Sequence, residues 1–451
     1  MPAVFPFHAV QYAQAVVSRG ADVSPLVAPP YDVLDAHAKA VLLARSDKNI
    51  VSIDLPHIPA KELGPPAAYA AAADTLAQWV RSGVLTRRNS PVMFVYRQAF
   101  TFAGRPFKRT GMACTLAVRP FGPAPGGGVL PHEETFSGPK EDRMALMKAT
   151  ATQLSPIFGM HPDERHAAVA VLASVTDTRS PDFFARTADG TLHEAWALDD
   201  PATIARYQSA LADEDVFIAD GHHRYTTALN YLAQLGGAHD LPPDHPARRC
   251  MFVLISMSDP GLIIGPTHRV LGGMAGYSRD ALGSALAPYF TLTPVPGSLQ
   301  SLHEALHAHG AAQPGRLGLW DFASGTGVLA TLAAPDPLAQ RFPDKAPAWR
   351  TLDVALTQHL IVEQVCQPLL NAGKPVQWAF PHSVQEVIDI GAGRELGSGG
   401  GKSFSPQLAV ILRPTPLESV RAVSRANLLM PQKSTFFFPK LATGLFMNPL
   451  A

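Results

Sequence analysis

Val216-Phe217-Ile218-Ala219-Asp220-Gly221-His222-His223-Arg224-Tyr225 is the stretch on which the reading of this chain turns. An apolar run delivers an aspartate, a glycine permits a sharp turn, and a helix reading from 222 to 235 starts at once and stops at Gly236-Gly237. A strand passing straight into a helix is α/β architecture. The first helical turn leaves backbone N–H groups unbonded at the positive end of the macrodipole, where an anion is favoured. Arg224 adds a planar fork of donors that matches a phosphate. Asp220 can hold Mg²⁺ or accept a proton from a hydroxyl. A purely structural reading has Asp220 capping the helix and the histidines bonded within a core. That explains any one of these residues, but less well two adjacent histidines followed by arginine at such a turn.

Outward from this turn, the chain reads as alternating short elements. Val27-Ala28-Pro29-Pro30-Tyr31-Asp32-Val33 is a stiff loop, after which Asp32 or Asp35 caps a helix running through Ala44. An alanine-rich helix is expected over 66–82. Strands at 91–102 and 106–118 form a hairpin around Ala103-Gly104-Arg105. A helix follows from Lys140 to about Gln153. Strands are expected at 167–173, 191–196 and 215–219, with a helix near 201–212. Strands at 250–257 and 261–265 are read as a second hairpin, turning at Asp259-Pro260-Gly261. The predicted fold is α/β (α+β), with a mixed sheet around the strand ending at Asp220. Two regions are expected: 1–275, which carries the polar loops, and a blander α/β region over 276–451. The Lys433–Lys440 tail of the second region is expected to return to the site.

Composition narrows the function. The 451 residues carry 37 Lys+Arg against 37 Asp+Glu, with 16% charged residues in all, so no basic stripe invites nucleic acid. The hydrophobic share of 47% is ample for a large core. The longest strongly apolar run, Cys250–Ile255, is far short of the roughly 18 residues that span a bilayer. The opening MPAVFPFHAVQYAQ lacks the pattern of an export signal, so a cytoplasmic location without a membrane is expected. Three scattered cysteines make neither a disulfide framework nor a zinc cluster.

Three further polar clusters stand out. Pro131-His132-Glu133-Glu134-Thr135, followed by Lys140, Asp142 and Arg143, offers histidine and paired carboxylates for general base work or metal binding. Lys433, Ser434 and Thr435 precede three phenylalanines whose burial would leave those polar side chains facing a site. Thr267, His268 and Arg269 end a strand. One apparent phosphate loop, Gly397–Ser403, fails on spacing, because Leu396 stands where the pattern needs its first glycine.

Together, PPYDV (29–33), PHEET (131–135) with Lys140, Asp142 and Arg143, ADGHHRYTTAL (219–229), GPTHR (265–269) and MPQKSTFFFPKLATGL (430–445) resemble the domain-of-unknown-function family 1015. That resemblance implies a ParB/sulfiredoxin-like core and kinship with free serine kinases, which phosphorylate L-serine from ATP or ADP. It maps the phosphate-cradling loop onto Asp220, Gly221, His222, His223 and Arg224. It implies an upstream glutamate base, for which Glu133 is the candidate and Glu134 the second choice. The expectation is therefore a phosphotransferase acting on a small hydroxylated metabolite, with ATP, ADP or pyrophosphate as donor. Asp220, Glu133, His222 and His223 are its catalytic candidates. Asp220 and Glu133 are the candidate Mg²⁺ ligands. Gly221, His222, His223, Arg224, Lys433, Ser434, Thr435 and Arg143 would hold phosphate, while Tyr31, Asp32, His132, Thr267, His268 and Arg269 would hold substrate. A phosphatase or nucleotide hydrolase could use the same cradle, and so could a non-catalytic nucleotide- or metabolite-binding regulator.

Overall fold

The structure, a computed structural model, describes residues 3–17, 21–134, 138–236, 241–308, 315–394 and 405–451. Thr135, Ser137 and the Gly397–Ser403 stretch lie outside the described residues. The chain forms two compact units. The first comprises Met1–Pro131, Thr135–Ile263 and Phe437–Ala451, and the second His132–Glu134 and Ile264–Phe436.

The first unit is built on a nine-stranded mixed sheet. Its strands are β1 (Val4–Phe5), β2 (Met93–Phe102), β3 (Arg105–Ala117), β4 (Val129–Leu130), β5 (Ile157–His161), β6 (Phe183–Arg186), β7 (Leu192–Leu198), β8 (Val216–Asp220) and β9 (Arg249–Ser256). The order is β4-β8-β5-β9-β3-β2-β7-β6, with β1 also on β3. The pairs β4–β8 and β5–β9 are parallel, and the other pairs along this order are antiparallel. The longer helices are α1 (Ala36–Arg45), α2 (Pro66–Arg81), α3 (Gly138–Thr150), α4 (Ala167–Thr176), α5 (Pro201–Ala210) and α6 (His222–Gln234), and a single helical turn spans Val51–Asp54. Asp35 caps α1 by accepting from the Ala38 N–H at 2.7 Å.

Two sequence expectations fail here. Residues 167–173, read as a strand, lie in α4. Ala168, Val171, Leu172 and Val175 are buried at helical spacing against the sheet, a pattern that so short an apolar run does not reveal by itself. The hairpin expected from 250–257 to 261–265 does not form either. Strand β9 lies between β3 and β5, and the Asp259 turn is held by β3, whose Thr110 N–H donates to Asp259 Oδ2 at 3.0 Å.

The second unit has a six-stranded, wholly antiparallel sheet. Its strands are β10 (Arg269–Gly272), β11 (Phe290–Val295), β12 (Arg316–Asp321), β13 (Thr326–Leu332), β14 (Gln377–Ala379) and β15 (Pro406–Ile411), in the order β11-β13-β12-β15-β10-β14. Helices α8 (Leu299–His307) and α9 (Val384–Gly391) cover one face, burying Leu299, Leu302, Leu306 and Val387 against Val270, Leu329, Ala409 and Ile411. Helix α7 (Arg279–Leu286) lies on the other face and packs against the helical stretch from Asp353 to Leu370; the unit also holds a short helix, Pro347–Arg350, and α10 (Leu417–Arg425).

The last residues of the chain complete the first unit through buried hydrogen bonds. Arg109, on β3 and only 1% exposed, donates to the carbonyl oxygens of Phe438 (2.9 Å) and Pro439 (2.6 Å) and to Gln98 Oε1. Gln98 Nε2 in turn donates to the Lys440 carbonyl at 2.9 Å. Replacing the guanidinium strands three buried acceptors, so Arg109→Met is expected to cost about 2–4 kcal/mol of stability. Urea unfolding measures this, and a change within about 0.5 kcal/mol of wild type would show that the tail is held by its apolar contacts instead.

Candidate active site

Strand β8 is buried through Ala219 and reaches half-exposure at Asp220. A register shift against β5 between Ile218 and Asp220 re-aims the last side chain of the strand. Gly221 then adopts φ +97°, and a Cβ there would lie 2.9–3.0 Å from the Arg224 guanidinium, so this position is closed to a side chain twice over. Helix α6 begins at His222. One turn on, Arg224 folds back over Gly221, donating from Nη2 to Asp220 Oδ2 at 2.9 Å and from Nη1 to the Pro156 carbonyl. Lys440 Nζ donates to Asp220 Oδ1 at 3.1 Å. Burial opposes ionisation of Asp220. Lys440 and Arg224, helped by His222, outweigh it and hold the carboxyl far below the usual carboxylate range. His222 is buried and His223 half-buried at the start of the helix.

Arg143, Tyr31 and Asp32 also belong to the first unit. Arg143 is buried and fixed by carboxylates: Nε donates to Asp142 Oδ2 at 2.8 Å and Nη1 to Asp54 Oδ1 at 3.3 Å. Its guanidinium lies 3.8 Å from the centre of the Tyr31 ring. Asp142 also takes hydrogen bonds at 2.8 Å from Tyr69 and from His57 Nε2. A cavity of about 40 Å³ between Tyr31, Asp54, Arg143 and Arg224 has room for ordered water rather than a metabolite. Asp32 is half-buried in the turn Tyr31–Val33.

The other sequence candidates gather in the second unit. His132 Nε2 meets Thr435 Oγ1 at 2.8 Å, and Glu133 Oε1 accepts the Lys433 N–H at 2.8 Å. Lys433 is exposed, with φ +60°. Ser434 is buried and donates to the Pro431 carbonyl at 2.5 Å. Arg269 donates to the carbonyls of Thr267 (2.5 Å), Lys433 (3.0 Å) and Gln432 (3.3 Å), and burial lowers its pKa to about 10. Thr267 is buried beside it. His268 Nδ1 accepts from the Leu412 N–H at 3.1 Å, and burial pushes this ring down to about 3. These bonds close the Gln432–Thr435 turn upon itself.

Sequence reasoning missed Asp54; it placed Asp142 in the 131–143 cluster without a partner, and Lys440 only at the end of the tail expected to return to the site. Lys440 carries one signal: it follows a triple phenylalanine, and burial of that run fixes the residues just beyond it. For a resident Mg²⁺ the donor set does not fit. Both Asp220 oxygens already accept from cations, and among the described residues no group of three or more His, Cys, Asp or Glu could hold a metal ion. No described helix is long and apolar enough to cross a membrane.

The first unit is thus a mixed α/β unit in which one carboxylate pairs with two cations at a helix start. The chain belongs to the DUF1015 family, described as a protein of unknown function, whose model matches residues 4–355. Among solved structures it is similar to a free serine kinase in complex with AMP (11% identity, 70% of this chain and 88% of that one, TM-score 0.33). It is also similar to a conserved hypothetical protein from Pyrococcus furiosus (14%, 70% and 92%, TM-score 0.30). A third is SbnI with C-terminal truncation from Staphylococcus aureus (9%, 71% and 84%, TM-score 0.31). No curated protein matches the chain.

Two outcomes follow from the loop geometry. Gly221→Ala forces a Cβ into the guanidinium at positive φ, and is expected to cost about 1–3 kcal/mol in urea unfolding. A cost below about 0.5 kcal/mol would mean that Arg224 does not need its place over the glycine. The Asp220 carboxyl is more acidic folded than its unfolded value near 3.9. Its ionised form therefore stabilises the fold fully above that value, and the contribution is lost as pH falls through the folded value. Wild type and Asp220→Asn should keep a constant stability gap from about pH 7 to pH 5 and converge in more acid solution. A gap independent of pH would contradict the ion-paired carboxylate.

Proposed function

We propose that the first unit carries a phosphotransferase site in which the α6 N-terminus, Arg224 and Lys440 grip the phosphates of a nucleotide or pyrophosphate donor. The observation that carries this reading is the Asp220 carboxylate holding Arg224 and Lys440 side by side at the start of α6. Two cations held in place before the ligand arrives stabilise charge on a transferred phosphoryl group without reorganising during the reaction. The positive end of the α6 macrodipole adds to the same field. Both Asp220 oxygens accept from the cations, so its role in this reading is to orient them. His222 and His223 line the helix start. Mg²⁺ enters only as the counter-ion of the donor's phosphates. The acceptor is a small hydroxylated metabolite, free L-serine by the family resemblance.

The test is phosphorus NMR of the purified chain with Mg²⁺ and ATP, ADP or pyrophosphate, each with and without L-serine. A phosphoserine resonance that needs serine is the expected result and names the donor. Free phosphate released without serine would replace this reading with a hydrolase, and no change in any tube would replace it with a binding protein for some other anion. Asp220→Asn should lower turnover at least about 100-fold, while nucleotide affinity stays within about tenfold of wild type. Turnover that survives the change would remove Asp220 from the mechanism.

A further inference from the structure

The second unit carries a cleft of about 490 Å³ with a chemistry of its own. On the sheet face away from α8 and α9, strand alternation sets out Leu319 and Asp321 of β12, Val328 of β13, Leu292 of β11 and Leu408 of β15. Helix α7 lies over this face, and its middle residue is Gly283. A Cβ built there would be 4.0 Å from Leu292, with nothing nearer, so the missing side chain leaves the cleft open. Leu286, Leu319 and Leu408 are buried, and provide an apolar floor. The volume falls in the range of small-molecule sites, which pair an apolar lining with a few placed polar groups.

Asp321 supplies the polar group. It is buried, and its carboxylate accepts from three neutral donors: Tyr277 OH at 2.8 Å, Ser324 N–H at 2.7 Å and Ser324 Oγ at 2.6 Å. A carboxylate has about four acceptor positions, so these three bonds leave one on a residue that lines the cleft. Burial raises the pKa of this carboxyl, but the Ser324 and Tyr277 hydrogen bonds, with Arg279, more than offset that and keep it ionised. The described lining holds one cation, Arg279, against two carboxylates, Asp280 and Asp321, and is therefore net negative.

We infer that this cleft binds a small organic cation, whose apolar body rests on the leucine floor while its ammonium group donates to Asp321. The inference does not depend on phosphoryl transfer in the first unit. The probe is 2-phenylethylammonium, with 2-phenylethanol and 3-phenylpropionate as neutral and anionic counterparts of similar shape. Binding to the full chain is followed by calorimetry and ligand-observed NMR. The amine should bind saturably at one site and at least about tenfold more tightly than the alcohol, with the acid weakest, since a charge-assisted hydrogen bond exceeds a neutral one by that much. Gly283→Leu fills the cleft from a helical position, so the melting temperature should hold or rise while amine affinity falls at least about tenfold. Asp321→Asn should bring the amine down to the alcohol's affinity. Should that variant fail to fold, Gly283→Leu and the amine-to-alcohol comparison on wild type still decide. Equal affinity for amine and alcohol, no saturable binding, or unchanged binding to Gly283→Leu would each overturn the proposal.

Discussion

One carboxylate, that of Asp220, ties together the end of β8, the first turn of α6 and a lysine 220 residues further along the chain. Partial burial of three charges has a desolvation cost, and an ion pair of this kind is poor evidence for stability as such. Its consequence is geometric. Arg224 and Lys440 are like charges held to the two oxygens of one group, and without that group they would repel each other and turn to solvent. The trio carries a net positive charge beside a helix N-terminus. Asp220 is thus a resident anion that keeps two cations in register, the feature on which the proposed phosphate site rests.

This arrangement depends on where the tail runs, and the tail is placed by buried polar contacts as well as by aromatic packing. Phe437 packs edge-on against Phe158 at 5.6 Å, and Phe446 stacks on Phe94 at 5.2 Å. Such contacts supply area but tolerate sliding. The bonds from Arg109 and Gln98 to three successive carbonyls, those of Phe438, Pro439 and Lys440, do not tolerate it, because each has a single acceptor. The register of the tail, and with it the reach of Lys440, is therefore set inside the sheet rather than at the site.

What the sequence makes legible is what local chemistry determines. The strand, the glycine turn and the helix of residues 216–234 can be read because each signal lies within a few residues of the structure it specifies. The β2–β3 hairpin and the Asp35 cap are readable for the same reason. Lys440 is not readable as a partner of Asp220, since nothing near either residue encodes the other. Residues 167–173 mislead because a short apolar run fits a buried strand and a buried helix equally. The turn at Asp259-Pro260-Gly261 is real, but turn chemistry alone cannot say that β9 will pair with β3 and β5 instead of its successor. The cleft beside Gly283 is invisible for a further reason: its defining feature is a side chain that is absent opposite a residue on another element.

A formal net charge of zero excludes only partners that sense the whole molecule. Within a Debye length of about 8 Å the local balance decides instead, and in this chain it decides differently in the two units. In the first, Asp220 pairs with both Arg224 and Lys440 at the start of α6, with Asp54 across a small cavity from Arg224. In the second, Asp321 is kept ionised chiefly by neutral donors, with Arg279 of the same cleft as a smaller contributor. A carboxylate stabilised by cations advertises the cations, while one stabilised by neutral hydrogen bonds advertises itself. On the two readings proposed above, the same residue type would therefore serve opposite ligands, and the difference would lie in which neighbours satisfy its oxygens.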